Sequence, residues 1–208
     1  MIATSADDFA SGIRRLSITS RIFASWKLAL LFFVTDRGKS IVLIGFMGVG
    51  KSSIGCCLAE RTGLPRFDTD EMIAKDFGMP IAGIFAKHGE GAFRDAETEA
   101  LRSLRRKSKS VVVTGGGIVL RPENIELLKE LGLIVHLDAD EETVFRRLMR
   151  KRTRPLIQTA NPRLTVKRLL AERAALYHAA ADMAVFTSDL SEQEVATKIL
   201  QKMEVWRR

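Results

Sequence analysis

The chain has 208 residues, 46% of them apolar and 28% charged, a balance that excludes a disordered chain and supplies the core of one compact domain. Cys56 and Cys57 are neighbours while His88, His136 and His178 are scattered, which argues against a disulfide framework or a Cys/His metal site and suits helix packing in a reducing compartment. The formal net charge is +8, yet residues 146–173 carry ten basic residues against one acidic residue, Glu172, with no aromatic interleaving; this fits phosphate held at one place better than a nucleic-acid footprint.

Residues 1–38 read unlike the rest, with Asp7 and Asp8 near the start and a short apolar run over 28–34. A spanning helix needs about 20 apolar residues, and no clear secretory pattern is present. A poorly ordered extension, or a start set too far upstream, is expected; a membrane-surface or targeting helix over 22–34 is the alternative, with no stable membrane insertion.

From residue 40 the chain alternates short apolar runs with helical periods. Strands are expected at 41–44, 66–67, 111–114, 133–137 and 183–186, and helices begin near Lys51, Asp70, Gly91, Pro122, Glu141, Leu164 and Ser191. This order predicts an α/β fold, a three-layer α/β/α sandwich with a five-stranded parallel sheet, over residues 39–208.

The first strand, IVLI, runs into residues 45–52, GFMGVGKS, which fit the phosphate-binding pattern G-x-x-x-x-G-K-[ST] in full. Its glycines let backbone N–H groups turn inward around phosphate oxygens, and the following helix adds the positive end of its dipole. Lys51 would reach the β and γ phosphates, and Ser52 would set its hydroxyl on Mg²⁺. The loop alone leaves GTPases, ATPases and small-molecule kinases open.

The second strand ends in FDTD, which sets Asp68 and Asp70 at the carboxyl edge of the sheet beside the loop; Asp70 also reads as a possible helix N-cap. Arg94 follows an aromatic expected to bury, and its place at a helix start calls for a compensating anion, either a substrate carboxylate or a surface ion pair with Glu97 or Glu99. The third strand runs into Gly115, Gly116 and Gly117, whose entropic cost suggests that a ligand approaches the backbone there. The basic stretch with Thr153, Pro155, Gln158, Asn161 and Pro162 reads as a mobile lid over about 148–163.

Together, GFMGVGKSS, FDTD, the FRD of residues 93–95, TGGG, RTRPLI at 152–157 and AERAALY at 171–177 resemble the shikimate kinase family, in that order and at similar spacing over residues 40 to about 185. The resemblance implies a P-loop kinase that transfers the ATP γ-phosphate to the 3-hydroxyl of shikimate in aromatic amino acid biosynthesis. It implies that Gly48, Val49, Gly50, Lys51, Ser52 and Ser53 hold ATP, that Arg147 stacks on adenine, and that Arg154 is the lid arginine. Asp70 would bind the acceptor hydroxyls and take the proton, Asp68 would hold Mg²⁺ through water, and Arg94 and Arg173 would grip the substrate carboxylate beside the wall of Gly115, Gly116 and Gly117. A cytoplasmic monomer that takes ATP and shikimate, and no nucleic acid, is the further expectation. Ala175 stands where the family usually has proline, and Ser53 where threonine is commoner. The rivals are a kinase of another hydroxylated acid, of gluconate type, and a regulatory ATP-binding module. An Arg154→Ala chain is expected to lose turnover while keeping acceptor affinity.

Overall fold

The structure, a computed structural model, describes residues 40–150 and 161–206. The N-terminal extension and the middle of the lid, Arg154 included, lie outside the described residues.

Five strands pair in parallel in the order β2-β3-β1-β4-β5, with β1 at Ser40–Ile44, β2 at Arg66–Asp68, β3 at Val111–Val113, β4 at Gly132–Asp138 and β5 at Met183–Phe186. Each expected strand is present within one residue at either end. The apolar side chains of β1 are wholly buried, as a central strand covered on both faces requires. Burial of each contributes about 1.5–3 kcal/mol, which is why the loop that follows β1 has a rigid base.

Strand order dictates the layers. The chain steps from β1 outward to β2, then back past β1 to β4, and right-handed crossovers in opposite directions put their helices on opposite faces. On one face α1 (Lys51–Thr62) packs with α7 (Glu192–Trp206); on the other, α4 (Pro122–Leu131) and α6 (Pro162–Ala180) cover β4. Helix α5 (Glu141–Arg150) packs on α6. Every strand therefore delivers its carboxyl end to one edge, which gathers the phosphate loop, Asp68, the three glycines and Thr187.

Two sequence expectations need correction. The first is the reading of Asp70 as a possible helix N-cap. Strand β2 stops at Asp68, whose carboxylate caps α2 (Thr69–Asp76) by accepting the N–H groups of Asp70 at 3.0 Å and Glu71 at 3.5 Å. The N-cap is Asp68, and Asp70 lies in the first helical turn.

The second is an omission: the helix expected to begin near Gly91 is present, but another helical segment precedes it. Helical structure starts at Ile81, and α3 (Ile81–Leu104) contains a kink at Gly89, where φ is 78°. Only glycine takes that conformation cheaply, so the kink reads as a break in sequence. Arg94 thus sits inside the second segment. A small core of Ile73, Ile84, Phe93 and Ala100, flanked by Phe77 and Phe85, ties α2 to both segments and aims Arg94 at the glycines.

Candidate active site

The phosphate loop is held from within. The Lys51 ammonium donates to the carbonyls of Gly45 at 2.7 Å and Phe46 at 2.9 Å, closing the loop into a ring. The cleft encloses about 350 Å³ and runs from Arg147 and Thr187, along residues 48–53, to Asp68, Asp70 and Gly116. Donor and acceptor elements thus share one space.

At one end, Arg147 donates to the carbonyls of Val49 at 3.3 Å and Thr187 at 3.0 Å and to the Thr187 hydroxyl at 3.2 Å. The Thr187 hydroxyl donates to the Val49 carbonyl at 3.1 Å. Its hydrogen-bonding edge so engaged, the guanidinium has its plane fixed beside the loop. Thr187 is a residue that sequence reading missed, although its position just past β5 on the ligand-binding edge could have drawn attention to it. A Thr187→Val chain is expected to raise the KM for ATP about 5- to 10-fold, the worth of a neutral hydrogen bond, with the acceptor KM within about twofold, as steady-state kinetics would show.

In the middle, the Ser52 hydroxyl lies 3.4 Å from Asp68 Oδ2, and Arg66 lies 3.3 Å from the same oxygen. Burial, and then the nearby Glu71 carboxylate, push the Asp68 carboxyl above its ordinary range, against the two backbone N–H groups and Arg66. A cation at this spot would offset that penalty. Hydroxyl and carboxylate oxygens are the donors a hard divalent ion takes, so the residues present fit Mg²⁺.

At the other end the glycines meet the charged residues. A Cβ added to Gly115 would come within 2.5 Å of Asp70 Oδ1 and 2.9 Å of Glu97 Oε1; one added to Gly117 would meet the Arg94 guanidinium at 2.2 Å. The tight approach expected at this wall is made by the protein's own side chains. Arg173 NH1 donates to the Gly116 carbonyl at 3.1 Å, so Arg94 and Arg173 flank the wall at adjacent residues.

The anion that Arg94 needs is Glu97, at 2.6 Å, with exposed Glu90 at 2.8 Å. Glu99 pairs with Arg102 instead. The Arg94–Glu97 pair is not a surface pair, because Glu97 is 0% exposed. Burial pushes its carboxyl up, opposed by Arg94 and reinforced by Asp70. Its position was legible: Phe93, Glu97, Ala100, Leu101 and Leu104 form the apolar stripe of α3, and Glu97 is the charge inside it.

Behind the wall, His136 of β4 is 3% exposed, stacks on Tyr177 and meets His178 edge-on. Burial holds its imidazole below the ordinary value near 6.5. The unfolded chain therefore takes up a proton first as pH falls through about 6.5, and the folded state loses stability from there downward. Asp68 and Glu97, pushed up, act in the opposite sense. The clean readout is a comparison with His136→Phe: between pH 7.5 and 5.5, chosen as roughly a unit either side, the wild-type melting temperature is expected to fall relative to the variant.

A phosphate loop at the switch point of a parallel sheet, sharing one cleft with Asp68 and Asp70 and bordered by a glycine wall that Arg94 and Arg173 touch, defines a P-loop small-molecule kinase. The family model for shikimate kinase matches residues 47–204. The chain is 46% identical to a shikimate kinase of Thermodesulfovibrio yellowstonii over 80% of its length and 95% of the relative's. It is 43% identical to that of Geobacter sulfurreducens, over 80% and 91%. Among solved structures, a shikimate kinase from Acinetobacter baumannii in complex with shikimate superposes with a TM-score of 0.80 at 36% identity, covering 85% of this chain and 97% of that one. The Aquifex aeolicus shikimate kinase gives 0.67 at 34% identity, covering 81% and 98%. The chain belongs to the shikimate kinase family, and its activity is that of an ATP-dependent kinase. Among the described residues, no helix is long and apolar enough to cross a membrane.

Proposed function

We propose that this protein transfers the ATP γ-phosphate to the 3-hydroxyl of shikimate, acting as a monomer in the cytoplasm. The observation that carries the choice of acceptor is the convergence of Arg94 and Arg173 on the glycine wall, with Asp70 on the same wall. Two guanidiniums in fixed orientation suit a carboxylate, and a carboxylate oxygen beside them suits the hydroxyls of the same small ring.

In this reading residues 48–53 cradle the phosphates with backbone N–H groups, and Lys51 exchanges a loop carbonyl for a phosphate oxygen. Ser52 and Asp68 would hold Mg²⁺, the latter through water, and the ion supplies charge neutralisation on the phosphates when bound. Asp70 takes the proton from the attacking hydroxyl, and Arg94 and Arg173 hold the acid so that this hydroxyl faces the γ-phosphate. Arg147 presents its face to adenine, its edge being used by Val49 and Thr187. Arg154, outside the described residues, would add a cation at the phosphates. Little covalent chemistry is asked of the protein, because phosphoryl transfer rests on positioning and on cations around developing charge.

The test is product identity. Incubation with ATP and shikimate should give one phosphorylated acid whose phosphorus couples to the proton on carbon 3, and phosphorylation elsewhere or no product would refute the reading.

A further inference from the structure

The Gly116 carbonyl receives two donors from α6, Arg173 NH1 and the hydroxyl of Tyr177, one helical turn further on. Gly116 is pinned from the other side as well. A Cβ there would lie 3.2 Å from the Met47 nitrogen and 3.6 Å from the Gly45 carbonyl oxygen, both in the phosphate loop. Gly116 is thus the layer between the loop that holds the donor and the helix that carries Arg173.

Tyr177 is 2% exposed, and its ring stacks on His136 with centroids 5.1 Å apart and planes 19° apart. The side chain has no room to leave, so its hydroxyl is a fixed donor. Arg173 is different. Its guanidinium is charged, and a substrate carboxylate drawn to it competes with the Gly116 carbonyl for its N–H donors, so that the carbonyl then depends more on Tyr177.

We propose that Tyr177 is a positioning residue of the acceptor site, whose hydroxyl holds the Gly116 carbonyl while Arg173 engages the substrate carboxylate. It touches neither substrate nor reacting atoms; it acts through the wall. This rests on the assignment of Arg173 and the wall to the acceptor. It also explains why the hydroxyl is worth burying, since buried phenol groups find a partner and this partner is a site carbonyl.

Tyr177→Phe keeps the stacked ring and removes the donor. The KM for shikimate is expected to rise about 10-fold, with kcat and the KM for ATP within about threefold, a pattern that general loosening of the fold would not give. Hydrogen exchange in residues 115–120 should quicken while β1 and β4 stay protected. An unchanged shikimate KM, or a loss shared equally by both substrates, would overturn the proposal. The wild type sorts the two levels: absent shikimate-dependent ADP release there refutes the acceptor assignment itself, whereas a normal wild type with a normal variant refutes only the role of Tyr177.

A second measurement needs no variant. Tyr177 is the only tyrosine in the chain, so 3-fluorotyrosine labelling gives one ¹⁹F resonance. Shikimate should shift it, and a non-hydrolysable ATP analogue alone should leave it in place. The reverse result would contradict the proposal.

Discussion

Asp70→Asn is expected to lower kcat by about 10²- to 10⁴-fold, the usual worth of a general base in proton transfer, while the protein remains at least as stable as the wild type. Asp70 lines the cleft shared with Lys51 and Ser52, and one of its oxygens rests against Gly115 so closely that a methyl group there would come within 2.5 Å. The amide of asparagine fits that space and can still bond a hydroxyl, so shikimate affinity should change less than about tenfold. It cannot accept the proton. Stability moves the other way because Asp70 repels the buried Glu97, and loss of its charge relieves that repulsion. Rapid-quench kinetics beside thermal melting would test both halves; a kcat within tenfold of wild type would remove Asp70 from the proton's path.

Glu97→Gln is expected to raise the shikimate KM by about 10- to 100-fold with the ATP KM within about twofold. Glu97 is fully buried, and its Oε2 lies 2.6 Å from Arg94 NH1. Hydrogen bonds to a charged group contribute about 1.5–3 kcal/mol, and every 1.4 kcal/mol is a factor of ten, which sets the range. Burial has already pushed the Glu97 carboxyl up, so its charge is held at some cost to the fold, and what it secures is the direction of Arg94. Glutamine fills the same volume without that charge. Kinetics with both substrates varied would show the split, and equal loss for ATP and acceptor would mean that Glu97 serves the fold and not Arg94.

The parts of the molecule legible in sequence are those written in local pattern. Four buried apolar residues before GFMGVGKS announce the central strand and its loop, and FDTD and TGGG announce two further strand ends on the same edge. What escaped was written in tertiary contact. Asp68 and Asp70 have the same residue type two positions apart, and only the end of β2 decides that the first caps the helix and the second enters the cleft. Glycine at 89 does break the helix, so Arg94 lies near the start of the second segment as the sequence suggests; what escaped is the first segment, which Ile84 and Phe93 join to the second in one small core. Thr187 and Tyr177 gain their roles from carbonyls 138 and 61 residues away, a distance no local pattern spans.

The choice of acceptor is tested most directly by ADP release measured with shikimate, quinate and gluconate in parallel at matched concentration. Release that depends on shikimate, with gluconate at background, is the result expected from paired arginines and a carboxylate on one glycine wall. Equal rates with gluconate, or no release with shikimate, would contradict it.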